Sequence, residues 1–93
     1  MKDAWKTTIL GKTFNVSVVD EIDGDDTIMG RCNPAQQRIR LRRDQAEDML
    51  LETLLHEIVH ACAEAVAVEL EENDVIRLAA SLYSCSALQV RRS

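Results

Sequence analysis

Three residues near the middle of the chain have the types and spacing for metal chemistry. The segment "LLHEIVHACAE" (54–64) holds His56, Glu57 and His60 as H-E-x-x-H, and it contains the only histidines of the 93-residue chain. On a helix, residues four apart are neighbours on one face, with Cβ atoms about 5–6 Å apart, so two imidazoles can converge on one zinc ion. Glu57 then sits beside the metal without binding it. From there its carboxylate can take a proton from the attacking water and pass it to a leaving amine. A zinc ion would lower the pKa of that water towards about 7 and polarise the scissile carbonyl. H-E-x-x-H also arises by chance on Glu-rich helices, but two features set this copy apart. Between Thr53 and Ala63 the ionisable groups are His56, Glu57, His60 and the Cys62 thiol. Polar side chains on so apolar a helix need partners, and a metal supplies one.

A catalytic zinc takes three protein ligands and leaves its fourth position to water. The longer pattern H-E-x-x-H-x-x-G-x-x-H would need Gly and His where this chain has Ala63 and Val66. Cys62 lies two residues past His60, about 200° round the helix. Cys32, Cys62 and Cys85 read instead as small buried hydrophobes. A carboxylate is left. Glu64 is on the histidine face but one turn further on, better placed to support the metal site from behind its ligands or to form a salt bridge. Glu72 is the preferred ligand, with Glu71 and Asp74 as substitutes. Glu71 and Glu72 precede Val75 by four and three residues and share its inward face. Acidic residues there equally suit a helix N-terminus, whose dipole favours them. Tyr83, the single tyrosine, could stabilise an oxyanion or serve as a core aromatic.

The elements that must position these residues follow from periodicity. "WKTTIL" and "TFNVSVVDEI" read as two strands joined by a turn at Gly11-Lys12, with Phe14, Val16 and Val18 alternating against Asn15 and Ser17. "DGDD" (23–26) is a turn without the remaining ligand spacing of a calcium loop. "TIMGRC", Asn33-Pro34 and "QQRIRLRR" read as a second hairpin, with Ile39 and Leu41 on one face and Arg38, Arg40 and Arg42 on the other. From Asp44 the period changes. Asp44 stands three residues before Glu47 as a helix cap, and a helix apolar nearly all round follows, needing cover on more than one side. After "VELEEND" a last helix places Val75, Leu78, Ala79 and Leu82 at core spacing. The expected fold is α+β: a small antiparallel sheet of three to four strands (about 5–43), a motif helix (44–68) and a packed second helix (72–88). The strand before the motif helix could pair with an extended peptide.

Ninety-three residues make one domain with room for a single site. Net charge is −5, which argues against general nucleic-acid binding and leaves the Arg38, Arg40 and Arg42 stripe as a local candidate for DNA or RNA. Three cysteines without C-x-x-C fit a reducing compartment better than a disulfide framework. No signal-like apolar segment or membrane-length run is visible, so a cytoplasmic protein without a membrane partner is expected.

With these residues in hand, "ETLLHEIVHACAEA", the acidic helix start and "LAASLY" resemble the small phage and prophage zinc-metallopeptidase-like proteins. These are related to the ImmA/IrrE-like and SprT-like peptidases and to the minigluzincins. The resemblance spans roughly residues 7–84 and is most specific in the motif helix. It implies a small sheet before the active-site helix, bound zinc, a protein or peptide substrate, and a downstream helix that supplies a glutamate ligand. His56, Glu57 and His60 match the family motif. On the register of "LAASLY" the helix-borne glutamate position falls on Ile76, so the third ligand does not transfer. Two functions follow: a zinc-dependent peptidase with Glu57 as general base, or a catalytically inactive peptidase-like binding module, with or without zinc.

Overall fold

The computed structural model describes residues 3–85. Strands β1 (Ala4–Ile9), β2 (Lys12–Val19), β3 (Gly30–Asn33) and β4 (Arg38–Arg42) are followed by helices α1 (Glu47–Ala65) and α2 (Glu72–Ser84). This is the expected α+β order. The sheet is mixed rather than antiparallel, with strand order β1-β2-β4-β3. Both expected hairpins form: β1 pairs antiparallel with β2, and β3 with β4. They join through β2 and β4, which run parallel, Val16 opposite Ile39 and Val18 opposite Leu41. Alternation along a strand fixes which face is buried, but not which neighbour the strand takes.

The turns follow local chemistry. The first sits at Leu10-Gly11, one residue earlier than expected, and both residues have positive φ (47° and 81°). That geometry matches the right-handed twist of the strands it joins. At "DGDD", Asp23 and Gly24 also have positive φ, and the Asp25 N–H closes the turn on Ile22 O at 3.0 Å. Asp23 then accepts from Arg40 and Arg31. The hydrogen bond from Arg40, chiefly, holds its carboxyl below the usual range.

Phe14, Val16, Ile39 and Leu41 form the inner face of the sheet, joined by Ile9, Leu50 and Ala61. Ile39 and Leu41 are fully enclosed, which fits the central place of β4. Helix α1 packs on β3, β4 and β1, and α2 covers another side of it, so the all-round apolar helix receives the cover it needs. Its N-cap is Ala46, not Asp44, and no side chain caps it. Asp44 is drawn away by the Arg42 guanidinium. The helix ends at Ala65, short of the expected 68, where Ala67 turns left-handed (φ 56°). The Val68 N–H bonds Ala63 O and the Ala67 N–H bonds Glu64 O, a Schellman arrangement with alanine where glycine is usual. On α2, Val75 and Ala79 are buried as expected, whereas Leu78 stands 44% exposed. The helix ends at Ser84, short of the expected 88: Cys85 turns extended (ψ 121°) and its N–H bonds Leu82 O.

Candidate metal centre

Helix α1 carries the whole motif, and its four-residue spacing brings the two imidazoles together edge to face, with ring centroids 4.9 Å apart and planes inclined at 67°. The left-handed turn at Ala67 then sends the chain back, so that the first turn of α2 meets them. His56 Nε2 lies 2.7 Å from Glu72 Oε1, and His60 Nε2 lies 3.2 Å from Glu72 Oε2. One ligand atom from each of the three falls within 4.8 Å of the others, so the trio could hold a metal ion. Two histidines and one carboxylate are a donor set found in catalytic zinc sites. Bonds of about 2.0–2.2 Å in a tetrahedral site place ligand atoms roughly 3.3–3.5 Å apart, so only small side-chain adjustments are needed.

Among the sequence candidates for third ligand, the structure brings Glu72 to the histidines, while Glu71 and Asp74 stay outside the cluster. Glu72 lies one turn before Ile76, the position indicated by "LAASLY". Its side chain is 60% exposed, so the metal position opens to solvent. A cleft of about 670 Å³ lies over it, bounded in part by Cys32, Pro34 and Glu64. Glu64 thus lines the cleft without joining the triad. Tyr83 follows Glu72 by eleven positions, roughly 16 Å along the axis, and is absent from the walls of the cleft.

Among the described residues Glu57 is the one buried charged side chain, 6% exposed. Burial, above all, raises its pKa. His56 and His60 pull it down, Glu72 pushes it up, and a hydrogen bond from the Cys32 backbone N–H lowers it. The strand that makes this bond, β3, is one of the two edges of the sheet, the other being β1. Since the Arg42 N–H donates to Met29 O at 2.9 Å, antiparallel alternation turns the backbone groups of Gly30 and Cys32 outward. The strand preceding the motif helix, expected to offer itself to a peptide, is instead paired on both sides. The open edge beside the site belongs to β3.

Three positioning residues escaped sequence reasoning. Gly30 lets β3 approach α1: a Cβ there would lie 2.6 Å from Thr53 Cγ2 and 3.3 Å from Glu57 Oε2. Gln45 donates to Met29 O (2.9 Å) and Arg42 O (2.8 Å), and accepts from Thr53 Oγ1 (2.8 Å). Together Gln45 and Thr53 tie the start of β3 to α1, one turn before Glu57. A glycine at the start of a strand was the available signal for close backbone approach. Nothing in the local pattern marks Gln45.

Elsewhere, Arg40 and Arg42 of the basic stripe are engaged by Asp23 and Asp44, and Arg38 is exposed. Cys32 and Cys62 are half-buried, while Cys85 is exposed. Burial, with help from Glu57 and Glu64, pushes the Cys32 thiol up to about 12. No described helix is long and apolar enough to cross a membrane. Comparison with protein-family models, curated proteins and solved structures finds no match.

Proposed function

We propose that this chain is a zinc-dependent peptidase. The observation that carries the reading is the convergence of His56, His60 and Glu72 within 4.8 Å beside the buried carboxylate of Glu57 on the same helix. His56, His60 and Glu72 would hold the ion. Zinc, when bound, supplies a Lewis acid that polarises the peptide carbonyl and acidifies water.

The chain's own groups do the rest. The free edge of β3 offers the Gly30 N–H and C=O and the Cys32 C=O for main-chain pairing with an extended peptide. The Cys32 N–H holds the Glu57 carboxylate facing the cleft, where it takes a proton from the attacking water and returns it to the leaving nitrogen. Burial keeps Glu57 a stronger base than a surface glutamate, which favours the first of these transfers.

Glu57→Gln tests this directly. The variant should keep stoichiometric zinc and lose at least about a hundredfold in peptide cleavage, read by mass spectrometry on a peptide library. Cleavage that survives the substitution removes Glu57 from the reaction. A zinc-loaded chain that cuts no peptide, yet captures one protein partner, would point to the non-catalytic binding module instead.

A further inference from the structure

The proposed peptidase site opens on two sides that differ in chemistry. The cleft described above and a second cavity of about 370 Å³ share Gly30, His56 and Glu57. The second cavity lies towards the start of β3, between Ile28, Met29, Met49 and Ile76, and among the described residues Glu52 is its only charged side chain outside the site. Met49 and Ile76 are 47% and 49% exposed, which leaves two large apolar side chains, on different helices, uncovered around one hollow. Methionine is well suited to such a wall, because its unbranched side chain adapts to several shapes.

The other side is acidic. The cleft runs past Pro34 to Glu64 and Glu69, neither of which has an ion-pair partner among the described residues. Among the described residues its one lining cation, Arg31, is held by Asp23 at 3.1 Å. The imbalance extends along the helices: from Asp44 to Cys85 there are ten carboxylates and a single cationic side chain, Arg77. Such a field attracts cations and repels acidic chains.

We infer that the pocket between Ile28, Met29, Met49 and Ile76 receives an apolar side chain of an extended cationic peptide lying antiparallel to β3. Antiparallel pairing forms the more stable ladder, and β3 runs from the apolar pocket towards the acidic cleft. The apolar residue therefore falls on the C-terminal side of the scissile bond. Lysine or arginine falls on its N-terminal side, near Glu64 and Glu69. This inference rests on the peptidase reading for its scissile bond, but its selectivity is a property of binding and is measured without turnover.

The test uses full-length, zinc-loaded Glu57→Gln protein and fluorescent synthetic peptides, with Kd read by anisotropy. The set varies Leu against Ser at the residue meant for the pocket, and Lys against Glu on the acidic side. Leu should bind at least about tenfold more tightly than Ser. Lys should be preferred to Glu, and the preference should weaken as salt rises. Ile76→Glu, at an exposed position, should keep zinc and erase the Leu preference. The double variant Glu64→Lys/Glu69→Lys should reverse the charge preference by about fivefold or more. Equal affinities across the set, no binding at millimolar peptide, or Ile76→Glu with the Leu preference intact would overturn the inference. So would a set in which the cation is preferred on the C-terminal side. Selective binding with an unmutated chain that cuts nothing leaves this inference standing and removes the peptidase reading. Cleavage without selectivity does the reverse.

Discussion

Gly30→Ala probes how tightly the edge strand is held to the motif helix. The new Cβ would lie 2.6 Å from Thr53 Cγ2, 3.3 Å from Glu57 Oε2 and 3.4 Å from Arg40 O. The first distance is closer than carbon atoms approach, so something must move. Thr53 cannot simply turn away, because its hydroxyl donates to Gln45 Oε1 at 2.8 Å, and Gln45 also holds the carbonyls of Met29 and Arg42. Either β3 lifts off α1 or that network breaks. Overpacking of this kind costs about 1–3 kcal/mol, which in a domain of this size lowers Tm by roughly 5–20 °C. Circular-dichroism melts of the metal-free protein would measure it without interference from zinc. Thr53→Ser removes the offending methyl and keeps the hydroxyl, so Gly30→Ala/Thr53→Ser should regain most of the loss, with a coupling of about 1–2 kcal/mol in the double-mutant cycle. A Gly30→Ala protein that melts within about 2 °C of its parent, or a cycle with no coupling, would refute the close approach of strand and helix.

Two further outcomes follow from particular groups. Ala67→Gly places at the end of α1 the residue that its φ of 56° favours, and should raise stability by about 0.5–1 kcal/mol in the same melts, the relief of strain exceeding the added chain entropy. Unchanged or lower stability would count against that turn. Cys32, raised to about 12, is a neutral thiol at pH 8, with a thiolate fraction on the order of one in ten thousand. Mass-spectrometric timing of iodoacetamide labelling should therefore find Cys32 far slower than the exposed Cys85. Because the shift is upward, its rate should keep rising with pH well past the ordinary thiol range. Equal rates for the two cysteines would contradict the shielded environment of Cys32.

Features read correctly from the sequence were those set by local periodicity. Alternation in β2 and β4 identified Phe14, Val16, Ile39 and Leu41 as inward, and the four-residue spacing placed His56 and His60 on one helix face. Features that depend on how distant segments meet were not legible. The parallel pairing of β2 with β4 leaves no trace in either strand, so the sheet was expected to be antiparallel and the wrong strand was given the open edge. Glu72 could be preferred over Glu71 and Asp74 only weakly, because its approach to the histidines depends on the left-handed turn at Ala67, and alanine does not announce such a turn. Asp44 looked like a helix cap because its spacing suits one, but Arg42 two residues earlier competes for the same carboxylate and holds it.

Zinc content of the purified chain, measured beside Glu72→Ala and Glu71→Ala, bears most directly on the metal centre. The expected result is one zinc per unmutated chain, retained by Glu71→Ala and lost or bound at least about a hundredfold more weakly by Glu72→Ala. A chain without stoichiometric zinc, or a Glu72→Ala variant that holds it as tightly as the parent, would contradict the assignment.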